Sequence, residues 1–362
     1  MNPAAYAILN LEAVAHNFQK VREAAPRSKI MAVIKGNGYG HGLLAMAGAL
    51  PHADAFAVAR VDEGIRLRKA GIKNRIVVLE GFTATQELEA LLIYQLDALV
   101  HSFTQLDIFE QRTERAQIAV WLKMDTGMNR LGFKLHDFQA VYQRLQQCSI
   151  IKRPIRLMTH LASADDRQDP MTLVQIERFN TTLQGISCER SIANSAGILG
   201  WQHALADWVR PGIMLYGISP FPEQTGEQLG LKPIMALHSR LIAVKPVAKG
   251  ETVGYAGSWV CQQATRLGVV AIGYGDGYPR YAKVGTPVLI NGQRVPLIGR
   301  VSMDMITVDL NSQPDAKPGD PVTLWGEGLA VEEIAQWADT IPYTLVCGIT
   351  QRVRQIDSAW LK

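Results

Sequence analysis

From residue 10 onward the apolar positions follow two alternating rhythms. "NLEAVAHNFQKVREAAP" sets Leu11, Val14, Ala15, Phe18 and Val21 at helical spacing. That spacing predicts a helix, with Asn10 as its cap and Pro26 beyond its end. A short β-branched run, "IMAVI", follows at 30–34. More continuous apolar runs occur at 54–58, 75–79, 97–100, 117–122, 155–159, 190–193 and 207–217. Helix-like stretches such as 61–70 and 137–147 lie between them. Strands without polar alternation are buried on both faces. Eight of them, alternating with helices over about 210 residues, predict an α/β fold, a (β/α)8 TIM barrel rather than an open sheet.

The residues that end these runs are Lys35, Arg60, Glu80, His101, Lys123, His160, Asn194-Ser195 and Arg210. A barrel gathers such positions at one mouth, where active sites are built. Strands that simply stop would more often end in Gly, Asp or Pro. After about residue 230 the texture changes to strands broken by Gly and Pro turns, with Asn291-Gly292 as a hairpin signal and a short helix at 331–338. "SPFPEQTGEQLGLKP" (219–233) reads as a linker. The expected domains are a barrel over 1–230 and a mostly-β domain over 231–362.

Composition narrows the partners. The 362 residues carry 37 basic and 33 acidic side chains, a net charge of +4, with no dense basic run. That balance favours a small-molecule partner over nucleic acid or a membrane surface. No apolar stretch reaches the roughly 18 residues of a membrane span. The segment "MNPAAYAILN" lacks a basic region and a cleavage site, so no signal peptide is expected. Cys148, Cys188, Cys261 and Cys347 are far apart and form no C-x-x-C. They read as reduced thiols of a cytoplasmic protein, and no metal site is expected.

The chemistry concentrates in "KIMAVIKGNGYGHG" (29–42). Gly40-His41-Gly42-Leu43-Leu44-Ala45 satisfies a loose dinucleotide fingerprint, with Asp62 and Glu63 about 20 residues on. The apolar run, however, ends at Lys35, five residues before Gly40, and a lysine has no task in such a site. As a nucleophile it has one. A partly desolvated lysine amine has a lowered pKa and forms Schiff bases. Neighbouring glycines admit a flat ring, and Tyr39 is placed to reach a phosphate. Barrels commonly hold phosphate in the loops after strands 7 and 8. Here those loops read N194-S195-A-G197 and R210-P-G212-I213. A lysine opposite a phosphate site points to pyridoxal phosphate.

These residues resemble the pyridoxal phosphate-dependent alanine racemases over nearly the whole chain. The matching blocks are "AVIKGNGYGHG", "WLKMDTGMNRLGF", "WVRPGIMLYGISP", "VGYAGSWV", "VAIGYGDGYPR", "GRVSMDMITVDL" and "PYTLVCGITQRV", in the family's order. Two departures are Gly36, where the family usually has Ala, and Thr344, where Glu is common.

The resemblance implies that Lys35 carries the cofactor, that Tyr39, Ser195, Gly212, Ile213 and Tyr343 contact its phosphate, and that Arg210 faces its ring nitrogen. Asn194 and His160 belong with them, His160 and Arg210 forming a network behind Tyr255. Racemisation needs a proton removed from one face of Cα and delivered to the other, hence two groups on opposite sides. The resemblance makes Lys35 one and Tyr255 the other. It also implies a substrate carboxylate held by Arg130 and the Met303 N–H, and a carbamylated Lys123 pairing with Arg130. Tyr274, Tyr343, Asp165, Arg280, Arg300 and Ile341 would line an access corridor. Tyr255, Met303 and Asp304 would reach the site from the partner of a head-to-tail homodimer. The implied reaction interconverts L- and D-alanine, for peptidoglycan or D-alanine catabolism. A broader-specificity or serine racemase, a pyridoxal phosphate-dependent decarboxylase and a non-enzymatic cofactor-binding module are the alternatives.

Overall fold

The computed structural model describes residues 4–112 and 116–361. Eight parallel strands close into a barrel. They are β2 (Lys29–Val33), β3 (Ala55–Val58), β4 (Arg75–Val78), β5 (Asp97–Val100), β6 (Ile118–Lys123), β7 (Ile151–Met158), β8 (Arg190–Ser191) and β9 (Trp208–Val209), with β1 (Tyr6–Leu9) preceding them. Each barrel strand overlaps one of the expected apolar runs, although β7 begins four residues before the run expected at 155–159. Closure is made by Lys29 and Ile30 of β2 pairing with Trp208 and Val209 of β9. Strands β3 and β5 are buried at every position. The last run ends early as a strand because Pro211 has no N–H to continue the ladder, and Ile213–Tyr216 turns into a 3-10 helix.

The helices follow the apolar spacing. The first spans Glu12–Ala24, and Asn10 Oδ1 accepts from Ala13 N at 3.2 Å. Val61–Lys69 and Phe138–Gln147 take the places expected for 61–70 and 137–147.

The chain divides into two compact units. One is Ala15–Leu215, the barrel; the other joins the described residues up to Val14 with those from Tyr216 on. The sequence placed residues 1–230 together, whereas the structure gives both ends of that range to the β-rich unit. The reason is β1, which pairs antiparallel with β10 (Met235–Val247) and parallel with Arg354–Asp357. Four residues of weak alternation gave no strand signal. β10 crosses an eight-stranded sheet and also pairs with Thr265–Val270 and Pro321–Trp325. Asn291 (φ 50°) and Gly292 (φ 79°) turn the expected hairpin between Pro287–Ile290 and Gln293–Ile298. Among the described residues no helix is long and apolar enough to cross a membrane.

Candidate active site

Lys35 leaves β2 directly into a left-handed turn. Gly36, Asn37, Gly38 and Tyr39 have φ of 62°, 54°, 63° and 49°. Left-handed backbone costs about 1–2 kcal/mol per residue that carries a Cβ. Glycine at two of the four positions removes that cost there, and Asn37 tolerates it while its Oδ1 accepts from Leu43 N at 3.1 Å. His41 Nδ1 donates to Tyr39 O at 2.8 Å. Full burial lowers the His41 pKa to about 4, so the ring is neutral. A Cβ added at Gly36 meets no atom within 4 Å. Gly36→Ala therefore costs only backbone strain. We expect a loss of about 1 kcal/mol in urea unfolding.

Tyr39 ends this turn beside the loops that follow β8 and β9. Its hydroxyl lies 2.6 Å from where a Cβ at Gly212 would sit, so a larger residue there would push the Tyr39 hydroxyl aside. Gly212 N and Met214 N donate to Ser195 Oγ at 2.9 and 3.3 Å. Ser195 opens a short helix capped by Asn194, whose Oδ1 accepts from Gly197 N at 2.9 Å. Tyr39, Asn194, Ser195, Gly212 and Ile213 thus form one cradle of hydroxyl and backbone groups.

Arg210 lies just past β9 and is buried. Its Nη1 donates to Ser191 Oγ at 2.7 Å, and its Nη2 to Thr159 O, Ile192 O and His160 Nδ1 at 2.7, 3.1 and 3.2 Å. All four partners are neutral. Burial lowers its pKa to about 10, which leaves it charged near neutral pH. Because His160 Nδ1 accepts from a guanidinium, its ring proton is on Nε2. Burial and then Arg210, Lys123, Arg130 and Lys35 hold His160 well below its ordinary value. Ser191 was not anticipated; the available signal was a lone polar residue inside the apolar run "RSIA".

Lys123 ends β6 among the same cations. Burial first, then Arg210, Arg130 and Lys35, lower its pKa to about 7. Unfolded, it keeps its proton up to about 10.5. Between those values unfolding takes up a proton, so stability rises with pH. The gain is complete above about 10.5 and gone below about 7. Denaturant melts in CO2-free buffer should show this slope, and Lys123→Met should reduce it. Arg130 stands on a loop fixed by Asp125, which accepts from Gly127 N, Asn129 N and Lys134 Nζ at 3.1, 3.0 and 2.7 Å.

The remaining candidates lie in the β-rich unit. Tyr255 sits on a 3-10 turn and is 64% exposed. Tyr274 and Met303 are carried on two joined loops: Tyr274 N donates to Ser302 O at 3.0 Å, and Gly275 N to Met303 O at 2.8 Å. Arg352 bonds Asp304 Oδ1 at 2.8 Å and pairs with Asp276 Oδ1 at 3.2 Å. Arg280 and Arg300 line one pocket of about 440 Å³. Tyr343 lies on the helix Pro342–Cys347.

Residues 9–220 match the alanine racemase N-terminal domain, and residues 234–357 match the alanine racemase C-terminal domain. The chain belongs to the alanine racemase family. It is 50% identical over 350 residues to the alanine racemase of Nitrosococcus oceani, covering 96% of this chain and 97% of that one. It is 49% identical over 351 residues to the biosynthetic alanine racemase of Escherichia coli K12, covering 97% and 98%. The crystal structure of biosynthetic alanine racemase from Pseudomonas aeruginosa superposes with a TM-score of 0.96 at 41% identity, over 98% of this chain and 99% of that one. The alanine racemase of Bartonella henselae, solved with covalently bound pyridoxal phosphate, superposes at 0.89 with 27% identity, over 98% and 100%.

Alanine racemases are pyridoxal phosphate-dependent isomerases. The barrel mouth fits that cofactor. It offers a hydroxyl and backbone cradle that a Cβ at Gly212 would fill. It adds Lys35, Lys123, Arg130 and Arg210 in mutual electrostatic reach, a donor set suited to a phosphate and a carboxylate.

Proposed function

We propose that this chain interconverts L-alanine and D-alanine with Lys35 and Tyr255 as its two proton-transfer groups, Lys35 also holding the cofactor. The observation that carries this is the family match together with Lys35 at the edge of the Tyr39–Ser195–Gly212 cradle. Bound pyridoxal phosphate would render the substrate Cα–H acidic by drawing its electrons into a conjugated ring.

The side chains do the rest. Tyr39, Ser195 and the Gly212–Ile213 backbone hold the phosphate, with Tyr343 joining them. Arg210, fixed through both Nη atoms, turns a cation toward the ring nitrogen and disfavours its protonation. A weaker electron sink favours prompt return of the proton and so suppresses transamination. Arg130 and the Met303 N–H hold the substrate carboxylate. Lys123, half neutral near pH 7, is primed to take up CO2 as a carbamate. That group would change from a repulsive neighbour of Arg130 into an acceptor that orients it.

Tyr255, Met303 and Asp304 act in a partner copy's site, so the working unit is a homodimer. The exposure of Tyr255, Tyr274, Met303 and Met305 supports a surface covered by a second copy. The protein works in the cytoplasm and supplies D-alanine for peptidoglycan or for D-alanine catabolism. Steady-state rates on a panel of L-amino acids test the substrate: alanine should be fastest, and faster turnover of lysine or arginine would overturn the assignment. Absence of racemisation accompanied by CO2 release would favour a decarboxylase.

A further inference from the structure

Glu63 joins the turn after Lys35 to the end of the next strand. It stands in the first turn of the helix Val61–Lys69 and is buried. Its Oε1 accepts from Gly36 N at 2.8 Å and Asn37 N at 3.4 Å. Its Oε2 accepts from Ala59 N at 2.8 Å and Arg60 N at 3.3 Å. A glutamate at the third helical position ordinarily reaches back to the N-cap N–H. That habit accounts for Arg60 and leaves the other three bonds unexplained.

The left-handed turn explains two of them. Gly38 N and Gly40 N close back onto Ile34 O and Gly36 O at 2.9 and 3.0 Å. Gly36 N and Asn37 N are the opening donors of the turn and are directed to Glu63 instead. A turn that puts Asn37 and Tyr39 in left-handed conformation persists only where its surroundings over-determine it. Glu63 supplies that constraint at the two peptide groups immediately after Lys35.

We propose that Glu63 is the positioning residue for the cofactor-bearing lysine. Its carboxylate clamps the backbone after Lys35 to the C-terminal end of β3. In doing so it sets the direction from which the Lys35 amine meets the cofactor. The inference rests on Lys35 being the point of attachment. Both oxygens of Glu63 accept, so Glu63→Gln must turn an amide N–H2 toward two N–H donors and release one side of the clamp. Glu63→Asp keeps both acceptors and the charge but shortens the reach.

The test uses the holoenzyme. Borohydride reduction and peptide mapping of the wild type come first: a label on another lysine defeats the proposed function itself. With the label on Lys35, the dissociation constant for pyridoxal phosphate and the pH midpoint of the bound-cofactor absorbance are measured for both variants. Glu63→Gln should raise the dissociation constant ~10-fold or more and move the midpoint, with Glu63→Asp in between. Hydrogen exchange at the Gly36 and Asn37 amides should quicken in step. A Glu63→Gln enzyme with the wild-type dissociation constant and midpoint overturns the proposal, whatever its Tm. Should Glu63→Gln fail to fold, Glu63→Asp decides alone: shifts in the same direction support the clamp, and unchanged values reject it.

Discussion

Lys35→Ala is expected to lose covalently held pyridoxal phosphate, its yellow absorbance and the borohydride label, and to lower kcat/KM for alanine by ~10⁴-fold or more. One residue would carry both the attachment and one of the two proton transfers, so the losses arrive together. The experiment also separates two lysines. Lys123 stands in the same mouth with a pKa near 7, low enough for its amine to be a competent nucleophile. Position decides between them. Lys123 is the last residue of a barrel strand, 7% exposed. Lys35 begins a glycine-rich turn that ends at Tyr39, beside the Ser195–Gly212 backbone cradle suited to a phosphate. A label that persists in Lys35→Ala and maps to Lys123 would reverse the assignment.

Tyr255→Phe should leave the absorbance intact while racemisation falls ~10²- to 10⁴-fold, the usual contribution of one acid–base group. The loss should be one-sided. Exchange of the Cα proton with solvent should continue from D-alanine, served by Lys35, and stop from L-alanine. Proton NMR in D2O reads both. A variant that racemises at the wild-type rate would remove Tyr255 from the reaction. Mixing inactive Tyr255→Phe with inactive Lys35→Ala extends the test. If each site takes its lysine from one subunit and its tyrosine from the other, mixed dimers contain one intact site and recover part of the activity. No recovery after verified subunit exchange would argue against shared sites.

The barrel was legible because its strands are buried on both faces, which leaves continuous apolar runs that no loop imitates. The same burial made the chemistry visible. Lys35, Lys123, His160 and Arg210 stand out as polar residues closing runs that are otherwise apolar. Three things were hidden. β1 was too short, and its partners lie more than 220 residues away in sequence. The bonds that fix Arg210 run through Ser191 and the carbonyls of Thr159 and Ile192, and backbone carbonyls leave no mark in a sequence. The left-handed turn announced itself only as scattered glycines. Asn37 and Tyr39 share its backbone conformation, yet nothing in their identity declares it.

β1 gives the β-rich unit two ends drawn from opposite extremes of the chain. Its four residues fill the slot between β10 and Arg354–Asp357. During synthesis this strand must wait, unzipped, while the whole barrel is made and folded ahead of its partners. A fragment beginning at the linker would never receive it. Both neighbours would then present bare ladder edges, and such a fragment should self-associate rather than fold cleanly. Supplying the missing tetrapeptide on a short tether would be the direct remedy.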